Sequence, residues 1–142
     1  MILADVNILI YAFRSDSQDH ARYRKWLESV VNEPEAYAIS PQVLSSFIRI
    51  ATHPRLYHHP SRLEDAFAFA RVLIEQPQAM MVSPREDHWT IFERLCRESA
   101  AAGNIIQDAW FAALAIESGC EWITVDRDYA RFKGLKWRAP FL

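Results

Sequence analysis

Met1-Ile-Leu-Ala-Asp-Val-Asn-Ile-Leu-Ile-Tyr11 opens the chain, and Trp122-Ile-Thr-Val-Asp-Arg-Asp128 answers it near the other end. In the first stretch an apolar run, residues 1–4, ends on Asp5. In the second, residues 122–125 end on Asp126. Short apolar runs bounded by polar residues read as strands buried on both faces of a parallel sheet. Sites in open parallel sheets form outside the carboxyl ends of the strands. The pattern therefore puts Asp5 and Asp126 where an active site is expected. Asp108 joins them as the residue that opens the most apolar helical stretch of the chain, residues 109–116.

Outward from these runs, strands and helices alternate. Residues 2–6 read as a first strand, followed by a short helix over 7–13. A helix over 19–31 has Ala21, Trp26, Leu27 and Val30 as its inner face. Residues 36–40 form a second strand. Ser40-Pro41 then starts a helix, with Ser as cap and Pro in the first position, running to about Thr52. It stops at His53-Pro54, because a residue before proline avoids the helical region. A loop over 56–60 precedes a helix over 61–75, with Leu63, Ala66, Phe67, Ala70 and Leu73 or Ile74 inside. A strand follows over 79–83. A helix over 86–101 is closed by Gly103 as a left-handed cap, and one over 107–118 by Gly119. A short helix over 127–132, a turn at Gly134 and a last strand at 135–137 end the reading. The expected fold class is α/β, three-layered α/β/α with a central, mainly parallel sheet. With 142 residues, few glycines and no low-complexity segment or repeat, residues 1–142 read as a single domain.

Composition excludes several classes. About half the residues are apolar, so the chain folds around a core. A formal charge of −2 means that nucleic acid would be held by a local basic patch or through metal. Cys96 and Cys120 lack zinc-type spacing and read as reduced thiols of a cytoplasmic protein. Asp5 interrupts the first apolar run, so it is no signal peptide. No run is long enough to span a bilayer, and no membrane partner is expected.

Each acid has an ordinary structural reading beside the chemical one. Asp5 with Asn7 can cap the helix that follows. Asp108 can be a first-turn acid on a helix dipole. Asp126 and Asp128 can make a turn and cap the next helix. Taken together, three carboxylates brought to one sheet edge repel one another, and must take up protons or bind a cation. Hard divalent ions with oxygen ligands are the usual solution. Arg49, His53, Arg55, His58 and His59 form one local basic cluster, either a solvated loop or a contact surface for nucleic-acid phosphate. Arg127 and Arg131 flank the late acid. Trp110 and Phe111 have the chemistry of base-stacking platforms, but the apolar helix around them makes them core. An aspartyl-phosphate mechanism starting at Asp5 would need a second acid where Asn7 stands and a suitable lysine. The lysines are Lys25, Lys133 and Lys136.

The opening residues 1–11, the segment Gly103-Asn-Ile-Ile-Gln-Asp-Ala-Trp-Phe-Ala-Ala-Leu-Ala-Ile116 and Ile123-Thr-Val-Asp-Arg-Asp-Tyr-Ala-Arg-Phe132 together resemble a PIN-domain protein. More narrowly, the chain resembles the VapC ribonuclease toxins of bacterial toxin–antitoxin pairs. The middle segment Ser40-Pro-Gln-Val-Leu-Ser-Ser-Phe-Ile-Arg-Ile-Ala-Thr-His-Pro-Arg55 and the ending Gly134-Leu-Lys-Trp137 fit one branch of them. The resemblance implies Mg²⁺- or Mn²⁺-dependent hydrolysis of RNA phosphodiester bonds, with Asp5, Asp108 and Asp126 as catalytic metal ligands. It implies Asn7 and Thr124 as polar residues that orient the carboxylates, and it admits Asp128 as a further ligand. It also implies a cognate VapB-type antitoxin and a homodimer. The chain departs from the pattern at one point. The family usually carries a glutamate on the helix after the second strand, and here Ser46 takes that place. One carboxylate is therefore missing, and metal affinity should be weaker. The alternative is a PIN-like module that binds RNA or a protein partner without cutting.

Overall fold

The computed structural model describes residues 1–141. Five strands form one sheet in the order β3-β2-β1-β4-β5: β1 Ile2–Ala4, β2 Tyr37–Ile39, β3 Ala79–Met81, β4 Glu121–Ile123 and β5 Trp137–Arg138. Every strand pairing is parallel, so the sheet is parallel throughout. Leu3 is the hub of the register, opposite Ala38 on one side and Trp122 on the other. Its burial on both flanks is why the opening run carries no polar residue before Asp5.

Six α-helices make the outer layers: α1 Val6–Phe13, α2 His20–Asn32, α3 Pro41–Ala51, α4 Leu63–Ile74, α5 His88–Ser99 and α6 Asn104–Glu117. A 3-10 helix, Arg127–Arg131, links β4 towards β5. The chain winds from β1 out through β2 to β3, then returns to the other side of β1 for β4 and β5. The order reverses between β1 and β4, and the crevice beyond their carboxyl ends is the topological switch point of such a sheet. Asp5 follows directly on β1, and Asp126 lies three residues beyond the end of β4.

Local chemistry explains most element ends. Ser40 caps α3 by accepting from Val43 N–H at 3.3 Å, with Pro41 in the first position. Phe47 on the buried face of α3 meets Phe13 edge-on at 5.3 Å and Phe69 at 5.1 Å. Burying one such ring contributes about 1.5–3 kcal/mol. On α6, Ala109, Ala112, Ala113 and Ala115 are fully enclosed. These small side chains let the helix backbone approach the sheet, where Phe111 stacks on Trp122 at 5.6 Å.

Several expectations from sequence are corrected. The left-handed residue that ends α5 is Ala100 (φ 49°), not Gly103. Gly103 instead precedes α6 at φ 59°, ψ −130°, a conformation essentially restricted to glycine. Consequently α6 starts at Asn104, not residue 107, and Asp108 lies beyond its first turn rather than opening the helix. In α4, Ala66, Ala70 and Leu73 face inward, while Leu63, Phe67 and Ile74 are exposed. Ala21 is exposed on α2, and Tyr23 packs towards the core in its stead. The last strand is β5 at Trp137–Arg138, shifted beyond residues 135–137. Cys96 and Cys120 are free thiols, and no helix among the described residues is long and apolar enough to cross a membrane.

Candidate active site

The acids converge at the switch point. Asp5, Asp108 and Asp126 line one cleft of about 420 Å³, together with Asn7, Tyr11, Ser46, Arg49, Tyr57, Gln107 and Tyr129. β1 delivers Asp5 at the start of α1, where its Oδ1 accepts from Val6 N–H at 2.6 Å. β4 delivers Thr124, which is fully buried. Thr124 donates its hydroxyl to Asp5 Oδ2 at 2.6 Å and accepts from Asp126 N–H at 3.0 Å. One side chain thus holds the carboxylate of Asp5 and the backbone of Asp126. Asp126 Oδ1 accepts from Asp128 N–H at 2.9 Å and caps the 3-10 helix. Tyr129 donates to Asp108 Oδ1 at 3.3 Å and so holds the third acid.

Capping and convergence therefore coexist for Asp5 and Asp126. For Asp108 the first-turn capping reading fails, because the helix begins a full turn earlier. Asn7 lines the cleft, but the bonds that orient Asp5 come from Val6 and Thr124. Asn7 Oδ1 is buried with no hydrogen-bond partner. Ser46 is half-buried and faces the same cleft from α3. Asp128 is exposed, does not line the cleft, and pairs loosely with Arg131 at 3.7 Å.

Electrostatics mark the site. Burial pushes the Asp5 carboxyl up to about 6 against the pull of its Thr124 and Val6 hydrogen bonds, and the charges of Asp108 and Asp126 push it the same way. Burial also raises Asp108, followed by the charge of Asp126, while Tyr129 and Arg131 oppose the rise. Burial first, then Asp5 and Asp108, hold the Tyr129 phenol protonated. These are the marks of acids that lack a counter-charge.

A hard divalent cation fits this donor set. The available donors are carboxylate, amide and hydroxyl oxygens, and Asn7 Oδ1 is a buried acceptor without a donor. Among the described residues, no three His, Cys, Asp or Glu side chains are already gathered about one point. Each acid accepts a hydrogen bond from a backbone or side-chain donor.

Sequence reasoning missed Tyr57 and Tyr129. Tyr129 follows Asp126 closely enough to be suspected, whereas nothing local marks Tyr57. Of the basic cluster, Arg49 alone lines the cleft among the described residues. Arg55, His58 and His59 are exposed elsewhere, His58 and His59 edge to face at 4.5 Å. Phe111 is buried at the back of the cleft, and Trp110 packs against His88 and bonds Gln42 on α3.

The family profile of the PIN domain matches residues 2–135. This chain belongs to the PIN-domain family. Among relatives of this PIN domain, Ribonuclease VapC43 of Mycobacterium tuberculosis (strain ATCC 25618 / H37Rv) is 41% identical over 140 residues, spanning 99% of this chain and 95% of its own length. Ribonuclease VapC25 of the same strain is 35% identical over 140 residues, spanning 99% of both chains. In three dimensions the PIN domain is similar to a chain in the crystal structure of VapBC2 from Rickettsia felis bound to a DNA fragment from their promoter. The TM-score is 0.72 at 18% identity, covering 98% of each chain. A chain of VapBC-1 from nontypeable Haemophilus influenzae gives 0.68 at 19% identity, covering 99% of this chain and 98% of its own. At such identities the likeness concerns the fold.

Proposed function

We propose that this PIN domain is a metal-dependent endoribonuclease of the VapC toxin type, neutralised by a cognate VapB-type antitoxin. The observation that carries the reading is the convergence of Asp5, Asp108 and Asp126 on one cleft at the switch point of the sheet. Relatives that bear the name ribonuclease and match nearly the whole chain support the substrate class.

Asp5, Asp108 and Asp126 would hold the ion, Mg²⁺ or Mn²⁺, with Asn7 Oδ1 and the Ser46 hydroxyl as supplementary oxygen donors. When bound, such an ion acidifies water at neutral pH and offsets charge on the phosphate. The chain's own residues do the positioning. Thr124 sets the carboxylate plane of Asp5, and Tyr129 that of Asp108. Arg49 is the one cationic side chain among the described residues lining the cleft, and it draws the phosphate backbone in beside the acids. The likeness in fold to chains of two VapBC structures supports an antitoxin partner. A homodimer is part of the same proposal. Exposed Leu63, Phe67 and Ile74 of α4 and Met80 and Met81 of β3 provide apolar surface for association.

The second reading is a PIN-like module that binds RNA or a protein without cutting. Ser46 in place of an acid favours it, as does the lack, among the described residues, of three acid, thiol or imidazole side chains gathered about one point. Incubating the purified chain with total RNA in Mn²⁺, and in parallel with excess chelator, separates the two. Discrete fragments in the first arm only support the nuclease; intact RNA in both arms supports the binding module.

A further inference from the structure

We propose that Tyr57, on the loop between α3 and α4, is the nucleobase platform of the cleft, stacking a base next to the cleaved phosphate of single-stranded RNA. The proposal rests on the ribonuclease reading above and deepens it. Four aromatic side chains line the cleft: Tyr11, Tyr57, Phe111 and Tyr129. Phe111 and Tyr129 are buried, the first stacked on Trp122 and the second bonded to Asp108. Tyr11 is tilted against Tyr23 at 5.0 Å. Tyr57 is half-buried, and its ring is backed by a cation rather than by core.

That cation is Arg14. Its guanidinium carbon lies 3.6 Å from the centre of the Tyr57 ring. Arg14 is itself buried at 7% exposure and does not line the cleft. Arg14 thus covers one face of the ring, and Tyr57 itself lines the cleft. Arg14 is fixed on every side. Its Nε and one terminal nitrogen donate to both oxygens of Asp16 at 3.0 and 2.7 Å. The other terminal nitrogen donates to Ser61 Oγ at 2.8 Å, and a further bond reaches the carbonyl of His59 at 3.0 Å. Ser61 N–H in turn donates to the Ala51 carbonyl at 2.8 Å, closing the base of the loop. A largely exposed loop is thus fastened from beneath, and its half-buried tyrosine ring is held at the wall of the acidic cleft.

A ring already ordered loses little freedom on stacking, so the contact adds to affinity instead of being consumed by ordering. Stacking on an aromatic face accepts any base, and loss of one platform weakens single-strand binding about ten- to hundredfold. Arg49 lies on the same cleft for the adjoining phosphate.

The test uses the full chain and a short single-stranded RNA carrying 2-aminopurine, whose fluorescence is quenched when the base stacks. Titration is done in chelator, and cleavage of the same RNA is followed separately in Mn²⁺. Wild type and Tyr57→Phe should quench the probe. Tyr57→Leu should bind at least tenfold more weakly without quenching, and its cleavage should show a raised KM with a smaller change in kcat. Thermal melting of each variant checks that the fold is kept. Binding and quenching by Tyr57→Leu equal to wild type overturn the proposal. If Tyr57→Leu does not fold, wild type decides alone: RNA bound without quenching at any probe position overturns the platform. Cleavage by wild type with no such quenching sinks the platform and leaves the ribonuclease reading standing. Neither cleavage nor binding by wild type sinks both.

Discussion

Thr124 Oγ1 donates to Asp5 Oδ2 at 2.6 Å, across a sequence separation of 119 residues, and the same oxygen accepts from Asp126 N–H at 3.0 Å. Thr124→Val keeps the shape and removes both bonds, leaving a buried carboxylate oxygen and an amide unpaired. The loss should be about 1–3 kcal/mol in urea denaturation. Thr124→Ser, which keeps the hydroxyl, should recover most of it. Equal stability of Thr124→Val and wild type would show that the bond contributes nothing to holding the acids.

Asp5 gives a pH dependence of definite sign. Its carboxyl ionises at about 6 in the fold, against an ordinary 3.8. From about pH 4 to pH 6 the unfolded chain therefore binds fewer protons than the folded one, and the metal-free protein loses stability as pH rises. Below pH 4 both states are protonated and the penalty is absent. Its full size above pH 6 is about 3 kcal/mol. Asp5→Asn carries no such penalty. The stability of the variant relative to wild type should climb by roughly 2–3 kcal/mol between pH 4 and pH 7 in chelator. A gap that does not change with pH contradicts the burial argument.

Metal should reverse that penalty. Calorimetry with Mn²⁺ should show weak binding at pH 7.5, further weakened at pH 5 as Asp5 takes up its proton. Asp126→Asn should abolish it. Chelator should stop cleavage while leaving the circular dichroism spectrum in place, because the core is built from the sheet and the helices packed on it and not from the ion. Unfolding on chelation, or tight binding of zinc instead, would be inconsistent with a site of oxygen donors.

Ser46 tests the missing carboxylate. It faces the acids from α3, so Ser46→Glu adds a negative oxygen donor to the same cleft. Metal affinity should rise by on the order of 1–2 kcal/mol at a partly solvated site. The metal-free variant should melt earlier than wild type through added repulsion, and later once Mn²⁺ is present. Identical melting curves with and without Mn²⁺ for the two proteins would place residue 46 outside the metal's reach.

The parts of this site that could be read from sequence are those where one strand end or one motif does the placing. β1 and β4 were legible because short apolar runs bounded by polar residues mark buried parallel strands, and this gave Asp5, Asp126 and the parallel α/β class. The start of α6 is not legible from local pattern. A glycine after an apolar helix reads as its left-handed end, whereas Gly103, at φ 59° and ψ −130°, serves the entrance to α6 and Ala100 makes the left-handed turn. In α4 the apolar residues Leu63, Phe67, Val72 and Ile74 spread beyond one face, so periodicity alone could not choose the inner one. Tyr57 was invisible because its position is set by Arg14, a partner 43 positions away that no local pattern connects to it. Tyr129 stood in a quoted motif, but its bond to Asp108 exists only once β4 and α6 are folded together.

The most direct measurement is the rate of RNA cleavage by Asp108→Asn beside wild type, both purified the same way and assayed in equal Mn²⁺. Asn keeps the volume and the bond to Tyr129 within reach while removing the charge. The account predicts a folded variant whose cleavage rate is at least about a hundredfold lower, a loss of about 2.7 kcal/mol or more in the barrier. A folded Asp108→Asn that cuts RNA at the wild-type rate would contradict the assignment of this acidic cleft as the active site.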